Sequence, residues 1–288
     1  MIKNMFFALA AIGFFATSCS NDDDNSGPTN SNLTFNAQGL EALGSGYVYE
    51  GWIIVSGAPV STGTFTDVSS AQVFSVNTEK LNNATRFVLS IEPAVDPDPA
   101  PADTKVLVGD FSGNSATLNS SIVGDFSNAA GAFFLRTPTD ETGTNNGNDH
   151  YGVWFGTPGM PPAPNFVLPT LPAGWAYEGW VVGDNGPITT GTFNVFNMAD
   201  AFDDFSETSQ PGPPVPGEDF FLNAPTGETF PLDVRGRTVV ISVEPVPDDS
   251  PAPFAIKPLV GTAGQDTAPA THDFGANLGS LPTGTVTR

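Results

Sequence analysis

The chain has 288 residues, of which 31 are acidic and only 9 are Lys or Arg, giving a net charge of −22 and a pI near 4.1. So acidic a surface repels DNA, RNA and anionic lipid, and the composition therefore excludes nucleic acid as a partner. The 23 Phe, 31 Gly and 27 Pro residues are too many for a disordered acidic chain and indicate numerous short strands.

Residues 1–19 predict a lipoprotein signal peptide. A short positive region precedes the apolar run 5–16, and small residues lead up to Cys19, the single cysteine of the chain. This order is typical of a secretory signal, and its end resembles a bacterial lipobox, in which the cysteine becomes the lipid-modified first residue. An ordinary signal peptide with an incidental cysteine is the alternative. No later run is apolar enough to cross a membrane, so the lipid on Cys19 is expected to be the anchor.

Residues 20–32 predict a flexible acidic tether. Its first part resembles the acidic signal that sends lipoproteins of the Bacteroidetes group to the outer face of the outer membrane. We therefore expect the protein to face the cell exterior, with the periplasm as the alternative. Since the rest of the chain contains no cysteine, folding must rest on core packing without disulfides.

Two blocks of the sequence occur twice. Residues 46–65 recur as 174–193 with ten of twenty positions identical, and residues 90–109 recur as 242–261 with eleven of twenty identical. The first block predicts a β-hairpin that opens with a strand apolar on both faces, and the second predicts two strands joined by a Pro-rich loop. An internal duplication follows from this pattern.

We therefore predict an all-β fold, a duplicated antiparallel β-sandwich-like unit whose two repeats pack together and carry long Pro/Gly-rich loops. Repeat 1 is predicted over residues 33–167, and repeat 2 over residues 168–277. Three extra strands are expected in repeat 1 without counterparts in repeat 2, at 117–123, 132–137 and 152–155.

Repeat 2 carries a predicted insertion at 195–237. Its Pro-rich composition indicates a loop, with a helical turn near residues 199–205. Residues 278–288 show little hydrophobic periodicity and are expected to fray.

The repeated motifs, in order, are Tyr-x-Gly-Trp, a turn followed by Pro-x-x-x-Gly, a strand ending in Glu-Pro, and a loop containing Pro-Ala-Pro before an apolar strand ending in Gly. This set, over residues 40–261, resembles the extracytoplasmic C-terminal domain of the anti-sigma-K factor family, here in two copies. In that family one copy follows a cytoplasmic sigma-binding region and a membrane-spanning helix. Neither is expected here, so the resemblance implies a sensor-side module and does not carry over sigma-factor binding.

The repeat also marks the candidate site residues. They are Tyr49, Glu50, Trp52, Glu92 and Lys105, with the counterparts Tyr177, Glu178, Trp180, Glu244 and Lys257. A carboxylate on a packed strand needs a partner, so we predict that a Glu of each copy pairs with the Lys of that copy. The alternative is a glycan-active enzyme that uses Glu50 and Glu92 as paired carboxylates.

The other candidates are weaker. Trp52 and Trp180 are expected in the core, with sugar stacking as the alternative. Asp96 and Asp98, like Asp248 and Asp249, offer oxygen ligands for Ca²⁺ but lack the spacing of a calcium loop, so solvated loops are expected and no cofactor is predicted. The two histidines are expected to be exposed in loops, namely His150 and His272.

Familiar catalytic motifs are missing from the sequence: no Gly-x-Ser-x-Gly, no His-Glu-x-x-His and no phosphate loop. The leading hypothesis is therefore a non-catalytic surface lipoprotein whose duplicated module binds or senses an extracytoplasmic protein or glycan. The alternatives are the glycan-active enzyme and an envelope partner of a sigma/anti-sigma regulatory system.

Overall fold

The computed structural model describes residues 29–142, 145–248 and 250–288. The predicted signal peptide, Cys19 and residues 20–28 of the predicted tether lie outside these ranges. Within them the chain forms sixteen strands and a single short α-helix, and the all-β prediction is confirmed. No helix in this part of the chain is long and apolar enough to span a bilayer.

The first sheet contains eight antiparallel strands. They are β1 Asn30–Gln38, β2 Tyr47–Val55, β3 Ala58–Phe65, β4 Gln72–Asn77, β5 Ala84–Pro93, β6 Lys105–Asp110, β7 Ser115–Asn119 and β16 Thr283–Thr287. Their order across the sheet is β3-β2-β5-β6-β7-β16-β1-β4. The helix α1, Thr78–Asn82, follows β4 and begins after Asn77, whose side chain accepts a hydrogen bond from the N–H of Lys80 at 3.0 Å.

The second sheet also contains eight antiparallel strands. They are β8 Ala132–Leu135, β9 Gly152–Phe155, β10 Trp175–Val182, β11 Pro187–Phe193, β12 Gly217–Asp219, β13 Thr238–Pro245, β14 Ile256–Thr262 and β15 His272–Ala276. Their order is β11-β10-β13-β14-β15-β8-β9-β12. Two short 3-10 turns, Asp149–Tyr151 and Leu278–Ser280, complete the regular structure of the described residues.

The two sheets have the same topology. Position by position, β3 corresponds to β11, β2 to β10, β5 to β13, and so on across each sheet. The second sheet consists of eight consecutive strands, β8 to β15. In the first sheet the sixth position is occupied by β16, which comes from the C-terminal end of the chain, whereas the second sheet has β8 at that position. The duplicated β unit is thereby confirmed.

Each sheet is rolled so that its outermost strands run side by side, β3 beside β4 and β11 beside β12, without ladder hydrogen bonds between them. We call these gaps the first seam and the second seam. At the first seam the ring of Phe74 faces Gly63, where an added Cβ would lie 3.2 Å from the ring, and the ring centroids of Phe74 and Phe65 are 6.2 Å apart. Apolar residues of both sheets join in one continuous core.

The predicted hairpins are present. Strands β2 and β3 are joined at Ser56 and Gly57, whose φ angles of 50° and 82° belong to the left-handed region. Positive φ at both central residues gives the turn a twist that matches that of the flanking strands. The corresponding hairpin of the second sheet joins β10 to β11.

The predicted division into residues 33–167 and 168–277 is corrected. Strands β8 and β9, which were expected to extend repeat 1, pair with β15 and β12 of the second sheet. Strand β7 also has a structural counterpart, since β15 holds the same place in the second sheet. The short apolar runs predicted these strands, but a run of four residues does not specify its ladder partner.

The predicted insertion is also corrected. Residues 199–205 form bends and no helical turn, and the short strand β12 lies inside the segment 195–237. At the other end, β1 begins at Asn30, so the last residues of the predicted tether belong to the first sheet.

The C-terminal residues do not fray as predicted. Strand β16 is hydrogen-bonded to β1 on one side and β7 on the other, and Val286 is fully buried. The guanidinium of Arg288 donates to the carbonyls of Ala84 at 2.9 Å and Gly113 at 3.0 Å, and lies 4.3 Å from the ring centroid of Phe111. Because the segment is polar and Gly-rich, most of its residues are held in place by backbone hydrogen bonds to β1 and β7 rather than by burial of apolar side chains.

Replacing Val286 by Asp should destabilise the protein, because the carboxylate would enter the core beside β1 and β7. We expect the free energy of unfolding to fall by about 3 kcal/mol or more in urea titrations. The control is Thr285→Asp, one residue earlier on the exposed face of the same strand, which should change it by less than about 0.5 kcal/mol. Equal, small effects of both substitutions would show that β16 is not packed.

Candidate functional site

The repeat-signature residues of the first sheet form a buried chain of hydrogen bonds. The indole Nε1 of Trp52 donates to Ser90 Oγ at 2.8 Å, and the Ser90 hydroxyl donates to the carboxyl of Glu92. The backbone N–H of Ala102 also donates to Glu92, at 2.9 Å to Oε1 and 3.1 Å to Oε2. Trp52 is 2% exposed and Glu92 is 1% exposed, so both are structural parts of the sheet.

The second sheet repeats this chain of bonds. Trp180 Nε1 donates to Ser242 Oγ at 2.7 Å, Ser242 donates to Glu244, and the N–H of Phe254 donates to both oxygens of Glu244. Trp180 and Glu244 are buried like their counterparts. The duplication therefore preserves a hydrogen-bond network as well as a sequence pattern, and the expected burial of both tryptophans is confirmed.

The other signature residues are held in the same way in both copies. The hydroxyls of Ser61 and Thr189 donate to Glu50 and Glu178, respectively. The buried tyrosines donate from their hydroxyls to carbonyls of the segment preceding each hairpin, Tyr49 to Glu41 at 2.8 Å and Tyr177 to Pro169 at 2.6 Å. Each tyrosine thus fastens a lead-in segment to its sheet.

The predicted pairing of Glu with Lys is wrong. Lys105 donates from Nζ to the carbonyl of Ala102 at 2.8 Å, and Lys257 forms a salt bridge with Glu41 Oε1 at 2.8 Å that links the two units. Hydroxyl and backbone N–H donors satisfy the buried carboxyls without the desolvation of a second charge. The long lysine side chains can then keep their ammonium groups near solvent.

Burial changes the protonation of these carboxyls. Loss of hydration raises the pKa of Glu244 to about 8 and that of Glu178 to about 7. Burial also raises the pKa of Glu92, and the charges of Glu50 and Asp96 raise it further. The hydrogen bonds from serine, threonine and backbone N–H groups oppose these increases without cancelling them.

The acidic loops serve as turns. Asp96, Asp98 and Asp248 each accept a hydrogen bond from the N–H two residues ahead, at 2.8, 3.0 and 2.8 Å. Asp249 lies outside the described residues. Within the described ranges no group of three or more His, Cys, Asp or Glu side chains is placed to hold a metal ion.

His272 is not in a loop as predicted. It lies on β15, half-buried, with its ring 5.4 Å from that of Phe133, and its Nδ1 accepts from the N–H of Gly264 at 3.2 Å. His150 belongs to a 3-10 turn and packs against Tyr151, with ring centroids 4.0 Å apart. Both imidazoles contribute to local packing.

The structure also reveals a group of carboxyls that sequence reasoning missed, at the second seam. Asp219 is fully buried: its Oδ2 accepts from the N–H of Thr139 at 2.9 Å, and its Oδ1 accepts from Trp154 Nε1 at 2.9 Å. The bond from Thr139 ties β12 to the segment that follows β8, and the bond from Trp154 ties it to β9.

Glu218, the preceding residue, points to the opposite face. Its ladder partner is Val153, a core residue, so the Glu218 side chain lies on the inner face of the rolled sheet. Oε1 accepts from the hydroxyl of Ser206, whereas Oε2 is buried without a hydrogen-bond partner among the described residues. Glu218 is fully buried.

Asp200 completes the group and bridges the seam. Its Oδ1 accepts from the N–H of Phe202 at 2.9 Å, and its Oδ2 accepts from the N–H of Gly217 on β12 at 3.2 Å. Asp200 also faces Gly191 of β11, where an added Cβ would lie 2.7 Å from Oδ1. We call Asp200, Glu218 and Asp219 the seam carboxyls.

Loss of hydration raises the pKa of all three seam carboxyls, to about 9 for Glu218, about 7 for Asp219 and about 6 for Asp200. The negative charges of neighbouring carboxyls add to this effect: Asp219 and Asp200 act on Glu218, Asp140 acts on Asp219, and Asp203 acts on Asp200. Perturbed carboxyls of this kind are more common at functional sites than elsewhere.

A cavity of about 420 Å³ opens at the second seam, and Asp200 is the seam carboxyl that lines it. Its lining includes Asp200, Asp203, Glu207, Ser206, Trp154 and Phe202. Acidic and aromatic side chains thus line the same space, which lies within the size range of small-molecule sites.

Comparison with known proteins adds one similarity. Residues 26–105 match the family model described as anti-sigma-K factor rskA, C-terminal. This segment runs from before β1 to the first residue of β6, so it covers most of the first sheet and one of the two hydrogen-bond networks. No curated protein and no solved structure matches the chain. The similarity covers 80 of the 288 residues.

Replacing Ser90 by Ala should destabilise the fold, because it leaves the Trp52 indole N–H without an acceptor and removes one donor to Glu92. We expect a loss of about 1–3 kcal/mol in the free energy of unfolding. The control is Ser61→Ala, which removes a hydroxyl from the exposed bond to Glu50 and should cost less than about 0.5 kcal/mol. Similar values for the two variants would contradict a structural role for the network.

Stability should fall as the pH rises from about 5 to about 9. A carboxyl whose pKa is higher in the folded than in the unfolded state binds its proton more tightly in the native state. Its contribution to the free energy of unfolding is therefore fully present below the unfolded pKa and is lost as the pH rises through the folded pKa. For Glu218 and Glu244 those folded values are about 9 and about 8. Melting temperatures measured across this range should decrease in the wild type.

The variant Glu218→Gln should flatten that pH dependence, since the amide does not titrate. Asp67→Asn is the control, because hydrogen bonds from Ser69 and Ser70 lower the pKa of Asp67 and place its titration below this window. A wild-type melting temperature that is constant or rises between pH 5 and pH 9 would refute the predicted burial of these acids.

Proposed function

We propose that the chain is a non-catalytic, lipid-anchored binding protein on the outer face of the bacterial outer membrane, where its duplicated module senses an extracytoplasmic ligand. The anchor is the lipid on Cys19, and the acidic residues after it direct the protein to the exterior. The two rolled sheets form the binding part.

One observation carries the non-catalytic part of this proposal: the repeated carboxyls are engaged by their own scaffold. Glu92 and Glu244 are buried and bonded to Ser90 and Ser242 and to backbone N–H groups. A pair of glycosidase carboxylates must reach a sugar on both sides of the scissile bond. Carboxyls enclosed in this way cannot do so, which disfavours the enzyme alternative built on Glu50 and Glu92.

The match of residues 26–105 to an anti-sigma factor domain supports a regulatory role. It also favours the second candidate, an envelope partner of a sigma/anti-sigma system. Deletion of the gene would then alter transcripts controlled by one sigma factor, whereas a stand-alone binding protein would leave them unchanged.

Metabolic labelling tests the anchor. In a bacterial host grown with radiolabelled palmitate, the wild-type chain should incorporate label and remain with membranes. The variant Cys19→Ala should incorporate none, because it removes the single site of acylation. Label retained by the variant, or absent from the wild type, would refute the proposed anchor.

Protease treatment of intact cells tests the orientation. The wild-type chain should be degraded, since it faces the medium. A variant with Ala at Asp22, Asp23 and Asp24 should still carry palmitate but resist the protease, because it lacks the proposed export signal. A wild-type chain that survives treatment until the cells are lysed would contradict surface display.

A further inference from the structure

We propose that the second seam is a binding site for a small organic cation that carries a primary ammonium group. This inference rests on the proposed binding role and names the class of ligand. The ammonium would enter the cavity between Asp200 and Ser206 and reach the seam carboxyls.

The duplicated fold supplies an internal comparison. In the first sheet the ladder pairs Leu33 with Phe74, and in the second it pairs Val153 with Glu218. Since β4 corresponds to β12 and β1 to β9, Glu218 holds the inner-face position that Phe74 holds in the first copy. The first seam is closed by aromatic packing of Phe74, so the fold itself does not require a carboxyl at this position.

The unmet hydrogen-bonding capacity of Glu218 points to a ligand. A buried carboxyl oxygen without a partner costs free energy, and Oε2 of Glu218 is such an atom among the described residues. Its other oxygen is bonded to Ser206, which lines the cavity, so the Ser206 side chain connects the Glu218 carboxyl to that space. A primary ammonium offers three N–H donors together with the compensating charge.

The charges around the cavity favour a cation. Asp200, Asp203 and Glu207 line it, and none of the described residues that line it is Lys or Arg. Glu218 and Asp219 do not line it themselves, but they accept hydrogen bonds from residues that do, namely Ser206 for Glu218 and Thr139 and Trp154 for Asp219. The ring of the half-buried Phe202 forms part of the wall and can contact the alkyl chain or the cation. A short alkyl diamine fits within the volume of about 420 Å³.

Two other ligand classes fit less well. A neutral sugar needs an exposed aromatic platform, whereas Trp154 is only 3% exposed. A metal ion needs converging ligands, and no suitable group of three acidic, His or Cys side chains occurs within residues 29–142, 145–248 and 250–288. An organic cation requires neither.

Binding should be linked to proton release. The groups that face Glu218 are Asp219 on its own strand and Asp200 from the segment after β11, while Asp140 and Asp203 act on those two in turn. All are acidic, so a cation favours their ionised forms. The affinity should therefore rise between pH 6 and pH 8.5, where an alkylamine remains charged and the seam carboxyls lose protons.

Isothermal titration calorimetry of the full chain tests the site with two probes of equal length, 1,5-diaminopentane and the neutral 1,5-pentanediol. We expect one diamine per chain, at least ten-fold tighter binding than for the diol, and tightening from pH 6 to pH 8.5. Glu218→Gln and Asp200→Asn should each weaken diamine binding about ten-fold or more. The control Glu244→Gln replaces a buried carboxyl of the same sheet outside the seam and should leave the affinity unchanged.

Several outcomes would overturn the proposal: equal binding of diol and diamine, no saturable heat, many weak sites per chain, or full affinity in both seam variants. Near-UV circular dichroism establishes that each variant is folded, and either folded seam variant suffices for the test. If the wild-type chain incorporates palmitate but does not bind the diamine, the proposed ligand class is wrong and the proposed lipid anchor stands. If the chain binds the diamine but does not incorporate palmitate, the binding site stands and the proposed membrane location is wrong.

Discussion

The constraint on which this structure depends is the burial of carboxyl groups in a chain that has few cations to pair with them. With 31 acidic residues against 9 Lys and Arg, most buried acids must be satisfied by other donors. Glu92 and Glu244 use serine hydroxyls and backbone N–H groups, and Asp219 uses Thr139 and Trp154. Because these donors are neutral, burial raises the pKa of the acids, and protonation becomes part of what holds the sheets together.

The sequence predicted the fold class and the two hairpins because strand alternation and turn chemistry are local signals. It also identified Trp52 and Glu92 of the repeated network, although not Ser90 or the bonds between them, since Lys105 was expected to neutralise a glutamate. The partners of Glu92 are a hydroxyl two residues away and the N–H of Ala102, which is a backbone group. Nearly every residue has a backbone N–H group, so the sequence does not mark which of them donates to the carboxyl. Residue types alone therefore favoured the lysine as the partner of the glutamate.

The long-range pairings could not be predicted. Strand β16 is polar and Gly-rich. Its position between β1 and β7 can be inferred only by comparison with the second sheet, in which β8 occupies the equivalent position. The same holds for Glu218, which lies in a three-residue strand after a Pro-rich run, too short for any periodicity. A comparison of Phe74 with Glu218 requires the ladder register, and the two segments share no sequence pattern that would align them.

Duplication explains why one seam can differ from the other without loss of the fold. The first copy closes its seam with Phe74 against Phe65 and retains an apolar interior. In the second copy, Asp200 spans from Gly191 to Gly217 and Ser206 covers Glu218, so the segment between β11 and β12 supplies polar closure in place of an aromatic ring. Burial of Glu218 opposes stability, whereas the first copy shows that an apolar residue serves the fold at this position. A chain that keeps the acid retains a destabilising group where a ligand could stabilise it, which is the arrangement expected of a binding site.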